Sequence, residues 1–242
     1  MVPQKQPLTL SKNRAEKILN NIESDGMTDD ILNYVRGQIV LAEGNTSAAI
    51  NDFENVISIT ENEDLKTRSY MELSNIYKSM RHSDGENHTA INNQIAVLER
   101  AVKDLKNEDN LIITEAMAEV YFTAKKYDLS IQKFKRLTEL GYERAYIYRN
   151  IAIIYQQTGD FKDAEDTLMT MRKKYPDNYQ CYMQLAYLYM DMEGQKAEEL
   201  RNYSKVSEYY ELAVRYAPNG KDTSDILQLT AKMNELRSKG WL

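Results

Sequence analysis

The fold of this chain is decided by residues 145–178, which read AYIYRNIAIIYQQTGDFKDAEDTLMTMRKKYPDN. Apolar side chains recur there at intervals of three and four residues, the spacing that places side chains on one face of a helix. Tyr148 and Ile151 lie on that face in the first half, and Leu168 lies on it in the second. Gly159 separates the halves and favours a helix end. The stretch therefore predicts two helices joined by a tight turn.

The same pattern of large and small side chains recurs 34 residues earlier in the chain. Ala152 corresponds to Ala118, and Tyr155 corresponds to Tyr121, while Pro176 closes the unit. The small residues let two helices approach closely, and the large ones fill the gaps around them. This arrangement resembles the tetratricopeptide repeat (TPR), a helix–turn–helix unit of 34 residues.

The resemblance implies an all-α fold, a right-handed α-α superhelix of about five repeats with terminal capping helices, or about twelve helices. We expect one TPR-like domain over residues 1–242. Its predicted segments are an N-terminal helix at 11–24, repeats at 30–63, 67–110, 111–144, 145–178 and 179–220, and a C-terminal capping helix at 223–240. Two repeats carry extra residues, near Arg81–Thr89 and Asp191–Tyr203, whose role the sequence leaves open.

Charge and composition exclude several classes of protein. The formal net charge of −6 and the pI of about 5.2 argue against a nucleic-acid binder, which normally has a basic face. Cys181 is the single cysteine, so no intrachain disulfide can form, as expected in a reducing compartment. The sequence has neither an apolar secretory leader at its start nor an apolar stretch of the roughly 20 residues that span a bilayer. We expect a soluble, cytoplasmic protein that does not insert into membranes.

The residues needed for catalysis or metal binding are scarce. The two histidines, His82 and His88, lie in a hydrophilic insertion with Asp84 and Glu86, at a spacing that matches no metal-ligand motif. A solvated loop is favoured there over a metal site. With two histidines and one cysteine in the chain, we expect no catalytic activity, no cofactor and no metal.

The TPR resemblance also implies where a ligand binds. The first helix of each repeat lines the concave surface, and four positions of that helix project together. The candidate ligand-binding residues of this groove are Tyr34, Gln38, Arg68, Met71, Glu72, Asn75, Glu115, Glu119, Phe122, Arg149, Asn150, Ile153, Gln156, Met183 and Tyr187. Aromatic, methionine, amide and charged residues of this kind are typical of peptide-binding surfaces, although solvated helix faces contain charges and amides too.

Two features of the groove bear on the chemistry of the ligand. Glu115 and Glu119 are four residues apart on one helix and repel by about 0.2–0.5 kcal/mol, which a basic ligand would relieve and water would screen. Some TPR proteins hold a partner's C-terminal carboxylate with lysine and asparagine. Here Met71 stands at the first lysine place, although Asn75 fits the next asparagine, so chaperone-tail binding is not predicted.

A narrower resemblance concerns the segments YMQLAYLYMDMEGQK at 182–196 and YSKVSEYYELAVRYAP at 203–218. They are similar to TPR-containing C-terminal regions of bacterial serine/threonine protein kinases, although the chain has no kinase motifs. The sequence thus predicts a non-catalytic scaffold that binds a protein or peptide of unknown identity. Two alternatives stay open, a regulatory or localising region of a larger bacterial signalling protein and a self-associating module that forms a homo-oligomer.

Overall fold

The computed structural model describes residues 28–81 and 88–242 of the chain. The predicted helix at 11–24 and residues 82–87 of the first insertion lie outside this part. All regular structure within the described residues is helical. The α-helices are α1 Asp29–Ala42, α2 Thr46–Ile59, α3 Glu63–Met80, α4 Thr89–Leu105, α5 Leu111–Thr123, α6 Tyr127–Glu139, α7 Ala145–Thr158, α8 Phe161–Lys174, α9 Tyr179–Gly194, α10 Ser204–Tyr216 and α11 Ser224–Ser238.

The chain forms two compact units that meet in sequence between Lys126 and Tyr127. The N-terminal unit contains α1 to α5, and the C-terminal unit contains α6 to α11. The boundary lies between α5 and α6, inside the predicted repeat 111–144. Each unit has its own cluster of buried apolar side chains.

Asparagine side chains define the start of several helices. The first backbone N–H groups of a helix have no partner inside it, and an asparagine oxygen placed just before the helix accepts from them. Asn62 accepts from the N–H groups of Asp64 and Leu65 at 3.0 and 3.1 Å. The same capping contact is made by Asn45 before α2, Asn110 before α5 and Asn178 before α9.

The N-terminal unit is built from two helix pairs, α1 with α2 and α3 with α4, followed by α5. Phe53, Tyr70 and Leu98 are fully buried between these helices. Gly37 of α1 is buried against Phe53, and a Cβ atom at this position would lie 2.9 Å from a ring carbon. Only a glycine therefore allows α1 and α2 to approach this closely.

The C-terminal unit repeats the same pairing, with α7 against α8 and α9 against α10. The small residues Ala152, Ala164, Ala186 and Ala213 are fully buried in these pairs. The turn between α7 and α8 contains Gly159 at φ +86°, a left-handed conformation that glycine adopts without strain. The final helix α11 contacts α9 and α10 and buries one apolar face.

Tyrosine hydroxyls connect each of three first helices to the second helix of the preceding repeat. Tyr121 of α5 donates to Glu99 of α4 at 3.0 Å, and Tyr189 of α9 donates to Glu165 of α8. Tyr155 of α7 instead accepts a hydrogen bond from a lysine of α6. These tyrosines are 34 residues apart, so the contact recurs with the sequence repeat.

The first residues of the second insertion, 191–203, continue a helix. Asp191 belongs to α9, which continues to Gly194 before the chain leaves the helix. Glu193 ends this extension as a buried carboxylate that accepts from Lys196 Nζ at 2.6 Å and from the Asn202 backbone N–H at 2.8 Å. The loop is thus closed at its base by one carboxylate.

Trp241 packs against the end of this loop. Its ring stacks on Tyr203, with centroids 5.6 Å apart. The guanidinium of Arg201 and the ammonium of Lys239 each lie 4.9 Å from its ring centroid, which adds cation–π attraction.

Candidate functional site

The first helices of the repeats are α1, α3 and α5 in the N-terminal unit and α7 and α9 in the C-terminal unit. We call the side of these helices that carries the predicted ligand-binding residues the first-helix face of each unit. The fifteen predicted residues are all exposed or half-buried, so each has side-chain surface that a ligand could reach.

An open pocket of about 340 Å³ lies on the first-helix face of the C-terminal unit. We call it the α7–α9 pocket. Its lining residues are Ile153, Gln156 and Gln157 of α7 and Gln184, Tyr187 and Asp191 of α9. Amide and carboxylate groups therefore lie next to one aliphatic and one aromatic side chain, a combination that is typical of ligand pockets.

A chain of hydrogen bonds fixes the polar groups of the α7–α9 pocket. Gln184 Nε2 donates to Gln156 Oε1 at 2.6 Å, and Gln156 Nε2 donates to Asp191 Oδ2 at 2.5 Å. The Tyr127 hydroxyl donates to the side-chain carbonyl oxygen of Gln157. Because Gln156 bonds to two residues of α9, its amide orients both of them before any ligand arrives.

The apolar part of the pocket is formed by Ile153 and Tyr187, both half-buried. Burial raises the pKa of the Tyr187 hydroxyl, and the Asp225 carboxylate of α11 raises it further. The hydroxyl is therefore protonated at neutral pH and available as a donor. Three other predicted residues of this unit, Arg149, Asn150 and Met183, are half-buried but do not line the pocket.

Predicted residues of the N-terminal unit bond to one another across neighbouring first helices. Tyr34 Oη and Gln38 Nε2 of α1 donate to Glu72 Oε1 of α3 at 3.3 and 3.4 Å. Burial and the Glu72 carboxylate raise the pKa of Tyr34. Lys78 of α3 forms an ion pair with Glu119 of α5 at 3.2 Å. A ligand on this face would have to compete with these contacts.

The remaining predicted residues of the N-terminal unit have individual surroundings. Arg68 pairs with Asp64 one turn earlier in α3, and Asn75 is exposed. Met71 packs against the core of the unit. Phe122 and Glu115 are both half-buried on α5.

A second pocket, of about 320 Å³, lies between α6 and α8 with α7 beneath it. Lys135, Asp163 and Asp166 contribute its charged groups, and Tyr148 and Tyr155 contribute aromatic rings. This pocket was not predicted from the sequence, because the predicted groove residues lie on another side of α7 and none lies on α6 or α8. Lysines already lie over the two rings, at 5.9 Å from the Tyr155 centroid and 5.8 Å from the Tyr148 centroid.

The groups that could perform chemistry have ordinary structural surroundings. Burial raises the pKa of the Cys181 thiol to about 12, and its Sγ lies 3.4 Å from the Leu168 carbonyl oxygen, so the thiol is not poised to react. Of the histidine-containing insertion, for which the sequence favours a solvated loop over a metal site, His88 lies within the described residues and His82 lies outside them. Across residues 28–81 and 88–242, no three histidine, cysteine or acidic side chains form a metal-binding group. None of the helices described is long and apolar enough to cross a membrane.

Known proteins resemble this chain in structure but not detectably in sequence. The sequence matches no protein-family model and no curated protein. The structure is similar to the C-terminal part of a TPR repeat-containing protein from Cytophaga hutchinsonii, with a TM-score of 0.66 at 13% identity over 94% of this chain and 83% of that part. The TPR protein YrrB gives a TM-score of 0.59 at 12% identity over 88% and 97% of the two chains. The chain has the TPR fold.

PilF of Pseudomonas aeruginosa adds a third example, with a TM-score of 0.56 at 11% identity over 91% of both chains. The predicted all-α TPR fold is thereby confirmed. YrrB is described as a TPR protein with an unusual peptide-binding site. At these levels of sequence identity the similarity establishes only the fold. The ligand has to be inferred from the residues of this chain.

Within the TPR fold, the prediction found half of the residues that line the α7–α9 pocket. Ile153, Gln156 and Tyr187 were predicted, whereas the other three lining residues were not. Gln157 directly follows Gln156 in the sequence, and Asp191 lies one turn beyond Tyr187. The periodicity therefore contained a signal for them, because the stripe of a helix that borders the predicted one also faces the pocket.

Proposed function

We propose that this TPR chain is a non-catalytic module that binds a segment of a partner protein on its first-helix face. The α7–α9 pocket is the observation that carries the proposal. It lies between neighbouring first helices, and its hydrogen-bond donors and acceptors are oriented before binding. A preformed surface of this kind lowers the ordering cost of binding a flexible segment.

The fold gives independent support to this proposal. YrrB, which has the same fold, has a peptide-binding site, so a stack of this kind can carry one. The fifteen candidate residues belong to the proposal, with Ile153, Gln156 and Tyr187 at its centre. The candidate residues of the N-terminal unit are already connected by ion pairs and hydrogen bonds. A ligand would have to break these contacts, so we propose that the face of this unit contributes less to binding. We propose the cytoplasm as the compartment, in keeping with the single buried thiol of Cys181.

The proposal is tested by selecting binding peptides from a random nonapeptide library and comparing variants. We expect the Ile153→Ala, Tyr187→Ala double variant to weaken the selected peptides by tenfold or more, because central apolar contacts contribute about 1–2 kcal/mol or more each. Fluorescence anisotropy of labelled peptides gives the dissociation constants.

The matched control carries Leu129→Ala and Met169→Ala. These apolar side chains are exposed on the second helices α6 and α8, at 41% and 38% of their surface. The control should bind like the natural chain. Equal loss in both double variants, or loss in the control alone, would place the peptide away from the first-helix face. The single Ile153→Ala variant repeats the test if circular dichroism shows that the double variant is unfolded.

A further inference from the structure

The acidic group of the α7–α9 pocket has no cationic partner within the described residues. Asp191 is exposed and accepts one hydrogen bond, from Gln156, at its Oδ2 atom. No lysine or arginine of residues 28–81 and 88–242 forms an ion pair with it. Some carboxylates of the same unit are paired, such as Glu143 with Lys174 at 2.6 Å and Glu193 with Lys196 at 2.6 Å, whereas others, such as Asp177, are like Asp191 in forming no ion pair among the described residues. The Oδ1 atom of Asp191 is therefore open to a ligand.

Gln184 adds a second acceptor to the pocket. This residue is only 8% exposed, and its amide nitrogen is committed to Gln156. No donor among the described residues reaches its Oε1 atom. This oxygen atom is itself accessible to solvent, so a donor from a ligand can take the place of water there. A donor supplied by the ligand would satisfy this oxygen.

The apolar side chains match the same type of ligand. Ile153 can pack against an alkyl stem, and the ring of Tyr187 offers a π face. Guanidinium groups stack on aromatic rings and present several donors in one plane, which suits acceptors on two different side chains. The open pocket of about 340 Å³ leaves room for a long side chain.

From these contacts we infer that the α7–α9 pocket binds an arginine side chain of the partner segment. The guanidinium donates to the Asp191 carboxylate and to Gln184 Oε1, and its stem lies against Ile153 and Tyr187. An acidic ligand side chain is disfavoured by repulsion from Asp191. This inference rests on the proposed function and specifies the chemistry of its ligand.

The test uses acetylated and amidated nonapeptides whose central residue is arginine, citrulline, leucine or glutamate, with the other positions randomised. Citrulline has nearly the same shape as arginine but no charge. Binding is measured with the natural chain, with Asp191→Asn, and with Asp177→Asn as the control. The amide oxygen introduced by Asp191→Asn would still accept from Gln156, so the fold of the pocket is kept. Asp177 is an exposed carboxylate between α8 and α9.

We expect the natural chain and Asp177→Asn to prefer arginine over citrulline by tenfold or more. Asp191→Asn should reduce that preference to about twofold or less. Peptides that bind in a manner dependent on Ile153 and Tyr187, with no preference for arginine, would overturn the inference and leave the proposed function standing. A preference for arginine that survives Asp191→Asn would overturn it as well. If no peptide depends on Ile153 and Tyr187, both proposals fail together.

Discussion

Gly37 lies where α1 packs closely on α2, and its role follows from the absence of a Cβ atom. A Cβ at this position would be 2.9 Å from Phe53 Cε1 and 3.2 Å from Asp52 Cβ. Phe53 is fully buried and cannot move aside without disturbing the core. Glycine normally weakens a helix, so its presence inside α1 is explained by packing rather than by local propensity.

We predict that Gly37→Ala destabilises the protein by about 1 kcal/mol. Overpacking of a core costs about 1–3 kcal/mol, and the gain in helix propensity returns about 0.5–1 kcal/mol. The midpoint of urea denaturation measures the change. Gly194→Ala is the control, since a Cβ there meets nothing within 4 Å. A Gly37→Ala protein as stable as the control would show that α1 and α2 do not approach this closely.

At the scale of the elements, tyrosines join one repeat to the next. The Tyr121 hydroxyl donates to Glu99 of the preceding helix, and burial followed by this bond raises the pKa of Tyr121. It therefore remains a donor at neutral pH. Tyr77, on the equivalent first helix α3, makes no such hydroxyl bond within the part of the chain that the structure describes. Removing the hydroxyl at each of the two positions therefore separates the effect of the hydrogen bond from any other effect of the substitution.

We predict that Tyr121→Phe lowers the free energy of unfolding by about 1 kcal/mol, the net contribution of a typical hydrogen bond. Tyr77→Phe should change it by much less. Amide hydrogen exchange in α4 and α5 checks the prediction locally, and urea denaturation checks it globally. Equal effects of the two substitutions would mean that the hydroxyl of Tyr121 contributes nothing to the contact between repeats.

The loop after α9 depends on one buried carboxylate. Burial alone would raise the pKa of Glu193, but its bonds to Lys196 and to the Asn202 N–H outweigh burial and lower it. A carboxyl group whose pKa is lower in the folded state stabilises that state above its unfolded pKa. This contribution is lost as the pH falls through the folded pKa.

We predict that Glu193→Gln destabilises the loop by about 1–3 kcal/mol at pH 7. The difference from the natural chain should shrink as the pH falls below the ordinary glutamate value of 4.5. Trp241 is the single tryptophan, and its fluorescence reports on the loop because it stacks on Tyr203. Glu198→Gln, on the exposed part of the loop, is the control. A difference that grows at low pH would contradict the assigned role of Glu193.

At the scale of the whole molecule, the fold could be predicted because the same sequence pattern occurs several times along the chain. The turn after α5 shows the value of this redundancy. Lys125 adopts φ +56° there, where Gly159 occupies the equivalent turn. No local signal marks a lysine for that conformation, and the 34-residue register alone identified the turn.

The site could be predicted only in part, since periodicity gives the direction of a side chain but not its partners. Ile153 and Tyr187 were found because they project from neighbouring first helices. The bond between Gln156 and Asp191 joins residues 35 positions apart and depends on how far α9 extends. That extension is stabilised by Glu193, whose partners follow it in the chain, so no pattern within α9 could reveal it.

The most direct test of the central claim is photo-crosslinking of a selected peptide that carries a benzophenone next to its central residue. We predict that the crosslinks, mapped by mass spectrometry, fall in α7 and α9, at 145–158 and 179–194. They should disappear in the presence of excess unlabelled peptide. Crosslinks that compete in the same way but fall in α8 and α10, at 161–174 and 204–216, would contradict binding on the first-helix face.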